Sequence, residues 1–378
     1  MKNAAFVHSK KLDESGYPPH CPFNTKRAGK TLELAESMGL MGGSHNSVVE
    51  PQPATDEEML WFHAPDYLQM LKSITSDKFT DETLKFGLGT MDCPLFAHLF
   101  DYVSLAAGAS VTGARLLLDG AADIAFNPSG GYHHAHAREA AGFCYVNDIV
   151  LAAETLVRGG KRVAFVDIDV HHCDGVQEAF YHRSDVLTIS LHEGGKTLFP
   201  GTGDVLEAGS GEGRGYSVNF PLPVGTYNKA YHKAWYGIVP PLLDAYKPDV
   251  IMLELGMDGL SGDPLAHLNL TNTVYIPILQ KLLEYNLPLL VTGGGGYDIN
   301  STVRGWTLAW SVLTEQYSDE ELLGMGGVMM ENTDWLAGLR DRSMLADAGQ
   351  RITIDASIEH TLTQIRETIF PVFGITQT

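Results

Sequence analysis

Apolar positions in the chain follow two alternating rhythms. Short, nearly unbroken apolar runs occur at Ala4–His8, Asp123–Asn127, Arg162–Ile168 (RVAFVDI), Val186–Leu191 (VLTISL), Asp249–Leu255 (DVIMLEL) and Leu287–Thr292 (LPLLVT), with a weaker one at Tyr216–Phe220. Between them apolar residues recur at helical spacing, over Arg27–Met38, Asp56–Phe62, Asp66–Ser73, Leu95–Asp119, Val146–Arg158, Gly175–His182, Tyr227–Tyr246, Thr273–Tyr285 and Thr302–Leu313. Strands that are apolar throughout, rather than on alternate residues, are covered on both faces. The pattern therefore predicts an α/β fold with a parallel sheet between layers of helices. No repeat and no Ser/Pro-rich linker divides the chain. The expected layout is one catalytic domain over 1–320, with a partly helical extension over 321–378 packed on it. Within that extension, Met329-Met330 and the apolar Ile369–Ile375 are expected to cap the core or meet a partner.

Composition narrows the function classes. Of 378 residues, 44% are hydrophobic and 19% charged, which excludes a disordered or low-complexity chain. The formal net charge of −20 argues against direct nucleic-acid binding and is compatible with a cationic substrate. Cys21, Cys93, Cys144 and Cys173 are scattered without a CxxC, so a reducing, cytoplasmic setting is expected. The longest charge-free run, Pro264–Gln280, is shorter than the ~20 residues of a membrane span. The opening MKNAAFVHSKKLDESG lacks the apolar core of a secretory signal.

Candidate chemistry lies just past four predicted strand ends, where open parallel sheets bind ligands. These clusters are Gly130-Gly131-Tyr132-His133-His134, the run from Asp167 to Asp174, Gly256-Met257-Asp258, and Gly293-Gly294-Gly295-Gly296-Tyr297. In an extended segment Asp167, Asp169 and His171 share one face, where two carboxylates and an imidazole invite a divalent cation. Asp258 is the natural further ligand. An oxygen and nitrogen donor set suits zinc, with iron(II) or cobalt(II) as competitors. Taken alone, the Asp/His run also fits a solvated loop. Paired histidines beside such a site suggest proton transfer, with Asp167 and Asp174 as their acidic partners. The glycine run lets Tyr297 approach a ligand and donate to an oxyanion, although four glycines also fit a flexible linker. A phosphate cradle is disfavoured because no GK[ST] follows.

The segments GGYHHAHAREAAGFCYVND, FVDIDVHHCDGVQEAFY, FPGTGD, LGMDGLSGD and TGGGGY, in this order over roughly residues 5–315, resemble the zinc-dependent histone deacetylase family. The likeness is to its class I-like bacterial branch of histone-deacetylase-like and acetoin-utilization deacetylases. The resemblance implies the arginase/deacetylase fold, with a central eight-stranded parallel sheet and helices on both faces, and hydrolysis of acyl-lysine amides. It implies Asp169, His171 and Asp258 as zinc ligands. His133 backed by Asp167, and His134 backed by Asp174, match the active-site histidines, and Tyr297 the carbonyl-polarising tyrosine. Phe143 and Phe199 match the walls of an acyl-lysine tunnel, Gly142 and Cys144 its floor region, Leu265 and Asp92 its rim, and Arg27 an arginine beneath the floor. It also implies structural potassium. One site would use Asp167 and Ser190 with carbonyls of Asp169, His171 and Leu191. A second would use carbonyls of Phe180, Arg183, Val186 and Tyr216. Tyr132 stands where the family commonly has tryptophan, and Cys173 where its eukaryotic members commonly have glycine.

The substrate implied is an acylated lysine of a protein or peptide, or a small acylated amine, with no nucleic acid and no membrane involved. Three alternatives compete. An acetylpolyamine deacetylase would use the same core. An arginase-like binuclear enzyme would need bridging carboxylates where Cys173 and Leu260 stand. A catalytically dead acyl-lysine reader would not need the intact catalytic set.

Overall fold

The computed structural model describes residues 2–14, 16–75, 78–317, 338–342, 344 and 347–376. Among these residues eight strands make one sheet: β1 Ala4–Val7, β2 Asn46–Val49, β3 Ile124–Asn127, β4 Val163–Asp167, β5 Val186–Glu193, β6 Ser217–Leu222, β7 Val250–Glu254 and β8 Leu289–Thr292. Every pairing is parallel, in the order β2-β1-β3-β8-β7-β4-β5-β6. The parallel α/β architecture expected from the apolar runs is thus present.

Alternate strand residues enter opposite layers. Phe6 and Phe126 face a core that includes Trp235, Trp306 and Trp310, contributed by helices Asn228–Tyr246 and Ile299–Leu313. Ala5, Ala125 and Phe165 face the other layer, against helices Leu99–Leu118 and Asp148–Arg158. Burial on both faces is what a continuous apolar strand encodes. β2 did not register in the sequence because it is an edge strand, Asn-Ser-Val-Val, with its middle residues exposed.

Sheet order decides where the chemistry goes. β3, β8, β7 and β4 are contiguous, and all four run the same way. The loops leaving their carboxyl ends therefore emerge side by side. Those loops carry His133-His134, the 293–297 glycine run, Asp258 and the 167–174 run respectively.

At the other end of the chain, helix Ala348–Thr368 lies on helix Asn228–Tyr246, with Tyr227 Oη donating to Asp355 at 2.8 Å and Lys233 paired with Glu359. Phe370 is buried, and Phe373 packs against Tyr216 at 5.1 Å between ring centroids. Residues 321–337 of the expected extension, including Met329-Met330, lie outside the described residues.

Candidate active site

Asp169, His171 and Asp258 converge with their ligand atoms within 4.8 Å of one another, all buried. His171 Nδ1 faces Asp169 Oδ1 at 3.1 Å and Asp258 Oδ2 at 3.0 Å. Backbone amides fix both carboxylates. Gly295 N donates to Asp169 Oδ2 at 2.6 Å, and Val170 N to Asp258 Oδ1 at 3.0 Å. Burial pushes the Asp169 carboxyl up, but the charge on His133 and the bonds from His171 outweigh it and hold the group below the usual carboxylate range. Burial and the repulsion of Asp169 raise Asp258 to about 7. Burial opposes charge on His171, yet its bonds to the two carboxylates raise it to about 10. The triad thus draws a proton onto His171 where it wants positive charge. That donor set, one imidazole and two carboxylates closed off from water, fits a divalent cation.

The paired histidines sit beside the triad. His133 Nδ1 is 2.8 Å from Asp167 Oδ2, and His134 Nδ1 is 2.7 Å from Asp174 Oδ1. Their Nε2 atoms face each other at 3.1 Å. Burial opposes charge on His133, but Glu254, Asp167 and Asp169 together raise it well above the ordinary histidine value. Burial and the charge of His133 lower His134 to about 4, against the pull of Asp174. The pair is therefore polarised, with a cationic inner ring and a neutral outer ring.

The loop presenting these rings is anchored by two residues of the quoted motif to which the sequence reading gave no role. Asn147 caps helix Asp148–Arg158 and donates to the carbonyls of His133 and Ala135 at 3.3 and 2.9 Å. Asp148, fully buried, accepts from Tyr132 N at 2.7 Å, from Gly131 N and from Ser110. A helix-cap pattern just after the apolar Phe-Cys-Tyr-Val was the signal available.

The glycine run carries Tyr297. A Cβ on Gly295 would lie 1.9 Å from Asp258 Oδ2, and one on Gly131 would lie 2.4 Å from Gly294 N, so close backbone approach requires glycine at both. Arg27 braces the run from below, with Nη1 on Gly296 O at 2.8 Å and Nη2 on Gly294 O at 3.0 Å. Its guanidinium lies 4.5 Å from the Phe23 ring and 5.0 Å from Trp306. Asp263 ties Tyr297 N at 2.7 Å and Leu265 N at 2.9 Å, a positioning duty not assigned to it from sequence. Burial, then the nearby Asp258 and Asp169, push the Tyr297 phenol well above its ordinary value, so it stays an O–H donor.

Aromatic rings wall the approach. Phe199 is 4.9 Å from His134, and Phe143 is 5.7 Å from Tyr297, between ring centroids. A side chain on Gly142 would meet His134 Cδ2 at 2.4 Å and Phe199 at 3.0 Å, so glycine keeps the passage open. Asp92 accepts from Gly142 N at 3.1 Å, and Cys144 Sγ lies 3.1 Å from Gly142 O. Tyr132, buried, shares a 2.6 Å hydrogen bond with Tyr102.

For the first expected potassium site, Asp167 and Ser190 are register partners on β4 and β5. Ser190 Oγ lies 2.8 Å from His192 Nδ1, and His192 Nε2 lies 3.0 Å from Gly203 O. The carbonyl requires Nε2–H, so Nδ1 accepts the serine proton and the serine oxygen keeps its lone pairs for a cation. For the second site, Arg183 N donates to Phe180 O at 3.0 Å and Thr188 N to Tyr216 O at 2.9 Å, two residues past Val186 where β5 begins.

Glu254 was not singled out in the sequence. It is the register partner of Asp167, fully buried, and neither oxygen has a hydrogen-bond partner among the described residues. His133 Nδ1 is 3.3 Å from Oε1 but is directed at Asp167. His133, Asp169 and Glu254 also bring their polar atoms within 4.8 Å of one another. Burial and Asp167 push the Glu254 carboxyl well up, so the folded protein holds that proton to higher pH than the unfolded chain does. Unfolding above ~pH 4.3 releases that proton, and wild-type stability falls as pH rises through that range. Glu254→Gln is therefore expected to stabilise the metal-stripped protein relative to wild type at pH 8, with no gain near pH 4. Urea unfolding at the two pH values checks this, and a less stable variant at pH 8 would contradict it.

The histone deacetylase domain pattern matches residues 21–313. Histone deacetylase B of Dictyostelium discoideum is 42% identical over 308 residues, 81% of this chain and 72% of that protein. Histone deacetylase 8 of Xenopus tropicalis is 40% identical over 299 residues, 79% of this chain and 80% of the relative. The protein of that name from Danio rerio is 41% identical over 297 residues, covering 78% of each.

Proposed function

The chain belongs to the histone deacetylase family and is a lysine deacetylase, an amidohydrolase, and from that premise we propose how its residues divide the work. Asp169, His171 and Asp258 hold one divalent cation, zinc first, with iron(II) or cobalt(II) as competitors. Such a cation supplies Lewis-acid polarisation of an amide carbonyl and activation of a water. The acyl-lysine stem passes between Phe143 and Phe199, which shield its four methylenes at ~0.8 kcal/mol each. Asp92 and Leu265 meet the substrate at the rim. His134, oriented by Asp174, accepts the water's proton at Nε2 and returns it to the leaving amine. His133, backed by Asp167, remains cationic beside it. Tyr297 donates to the carbonyl oxygen as negative charge develops there. Arg27, Gly142 and Cys144 shape the floor. Potassium occupies the Asp167/Ser190 site with carbonyls of Asp169, His171 and Leu191, and the site of the Phe180, Arg183, Val186 and Tyr216 carbonyls. The catalytic unit is 1–320, with 321–378 as an extension on it.

The convergence of Asp169, His171 and Asp258 beside two carboxylate-backed histidines carries this reading. An arginase-like second metal finds no help from Cys173 or Leu260, which are buried among apolar residues. Four unpaired cysteines support a reducing cytoplasmic setting, and among the described residues no helix is long and apolar enough to cross a membrane. The test is a panel of acetyl-lysine peptide, longer acyl-lysine peptides and acetylspermidine, assayed with chelator and after zinc is restored. Zinc-dependent release of acid from acetyl-lysine peptide is expected to exceed release from acetylspermidine. Preference for the polyamine would overturn the peptide assignment, and chelator-insensitive turnover would overturn the metal centre.

A further inference from the structure

His136 follows the catalytic pair by two residues, and its ring stands between two carboxylates. Nε2 lies 3.3 Å from Asp174 Oδ2, and Nδ1 lies 2.6 Å from Glu178 Oε2. The other oxygen of Asp174 takes His134 Nδ1 at 2.7 Å and Gly175 N at 3.0 Å. His134, Asp174, His136 and Glu178 thus form one unbroken chain from a buried ring to a side chain that is 45% exposed. Asp174 and Glu178 are four residues apart on helix Asp174–Phe180 and share a face, so one ring can bridge them.

The backbone holds His136 there. Its own N–H bonds Glu139 O at 2.9 Å, Asn147 binds Ala135 O, and Ala64 N binds Ala137 O at 2.8 Å. An imidazole with a carboxylate at each nitrogen satisfies both only when it carries both protons. The bonds to Asp174 and Glu178 outweigh partial burial and raise His136 to about 10. Other titratable groups nearby include His63, which feels Glu178 and is lowered to about 4 by burial, and His172, which feels Asp174 and is also lowered by burial. On the far side of the chain, His133 and His171 face His134, and Arg138 is paired away with Asp66.

We propose that His136 is a positioning residue, a fixed cation that clamps the outer oxygen of Asp174 so that the inner oxygen is aimed at His134 Nδ1. The clamp fixes His134 in the tautomer that donates from Nδ1, with Nε2, the atom facing His133, unprotonated and so the nitrogen that accepts a proton. It also keeps Asp174 from facing the Glu178 carboxylate without a cation between them. The proposal rests on the reading of His134 as proton acceptor.

The test uses the full-length, metal-loaded protein. His136→Asn, which removes the cation, is expected to lower kcat about 10-fold with KM nearly unchanged, and His136→Lys to restore most of the loss. In an Asp174→Asn background the His136→Asn loss should largely disappear, because the clamp acts only through that carboxylate. Wild-type kcat in His136→Asn, an undiminished loss in the Asp174→Asn background, or failure of folded His136→Lys to restore activity would each overturn the proposal. Two further arms cover a His136→Asn that does not fold. Glu178→Gln, at the exposed end, should lower the midpoint of the His136 titration, read by NMR of the labelled ring, and an unmoved midpoint counts against the clamp. In the wild type that ring should hold both protons at pH 8. A neutral ring there sinks the clamp whatever the enzyme hydrolyses. A doubly protonated ring in a protein inert toward every acyl-lysine would instead fault the functional reading.

Discussion

Tyr297→Phe is expected to keep its fold and its divalent cation while kcat falls about 10²–10³-fold, the usual consequence of losing one oxyanion donor. The change removes one oxygen from a ring otherwise held by its surroundings. Its backbone N–H is tied to Asp263 at 2.7 Å, its ring packs on Phe143, and Arg27 braces the glycines before it. Metal content should not change, because backbone amides fix Asp169 and Asp258, His171 lies between their carboxylates, and none of the three bonds the phenol among the described residues. KM for an acetyl-lysine peptide should move little, since the bond strengthens only as charge develops on the carbonyl oxygen. The phenol is raised above its ordinary value, so its loss should cost the same factor from pH 6 to pH 9. Steady-state kinetics with metal analysis on the same preparation decide the matter. A variant within a few-fold of wild type, or one that has lost its metal, would remove the oxyanion role from Tyr297.

The parts of the fold legible in the sequence were those encoded by burial on both faces. The run Arg162–Ile168 announces β4 because nothing polar interrupts it before Asp167, and in the structure every residue of Val163–Asp167 is buried. Asn46–Val49 announces nothing, since an edge strand has one neighbour and can keep its polar and exposed residues. The same contrast runs through the site. Asp169, His171 and Asp258 stand out because charged groups just past apolar strands have few bland explanations. Glu254 lies in an equally apolar run, but a lone glutamate there has no neighbouring His or Asp to mark it. Only the register beside Asp167 shows it buried, with neither oxygen hydrogen-bonded among the described residues. Asp148, Asp263 and Asn147 bond backbone groups, and which backbone they reach depends on how separate loops meet. His136 went unremarked for the same reason, as its partners lie on a helix about 40 residues further along the chain.

His134→Ala and His133→Ala should differ in a way that spacing alone does not anticipate. Two adjacent histidines, each with its own aspartate, look equivalent in sequence. In the structure burial and the charge of His133 hold His134 at about 4, whereas Glu254, Asp167 and Asp169 raise His133 against its burial. A proton acceptor has to be neutral at rest, and only His134 meets that condition at neutral pH. His134→Ala should therefore lower kcat about 10²–10⁴-fold across the whole pH range, the usual contribution of a positioned acid or base. His133→Ala should cost less at pH 8, because the acceptor and its Asp174 partner remain. Its effect should be larger on the acid side. Removing the charge of His133 removes one influence that lowers His134, so His134 becomes a stronger base and stays protonated to higher pH. The acid limb of kcat/KM must then move upward. Profiles of both variants from pH 5 to pH 9 separate the roles. Equal losses at pH 8, or an acid limb that stays in place in His133→Ala, would mean that the two rings share one function and that the polarisation of the pair does not govern the reaction.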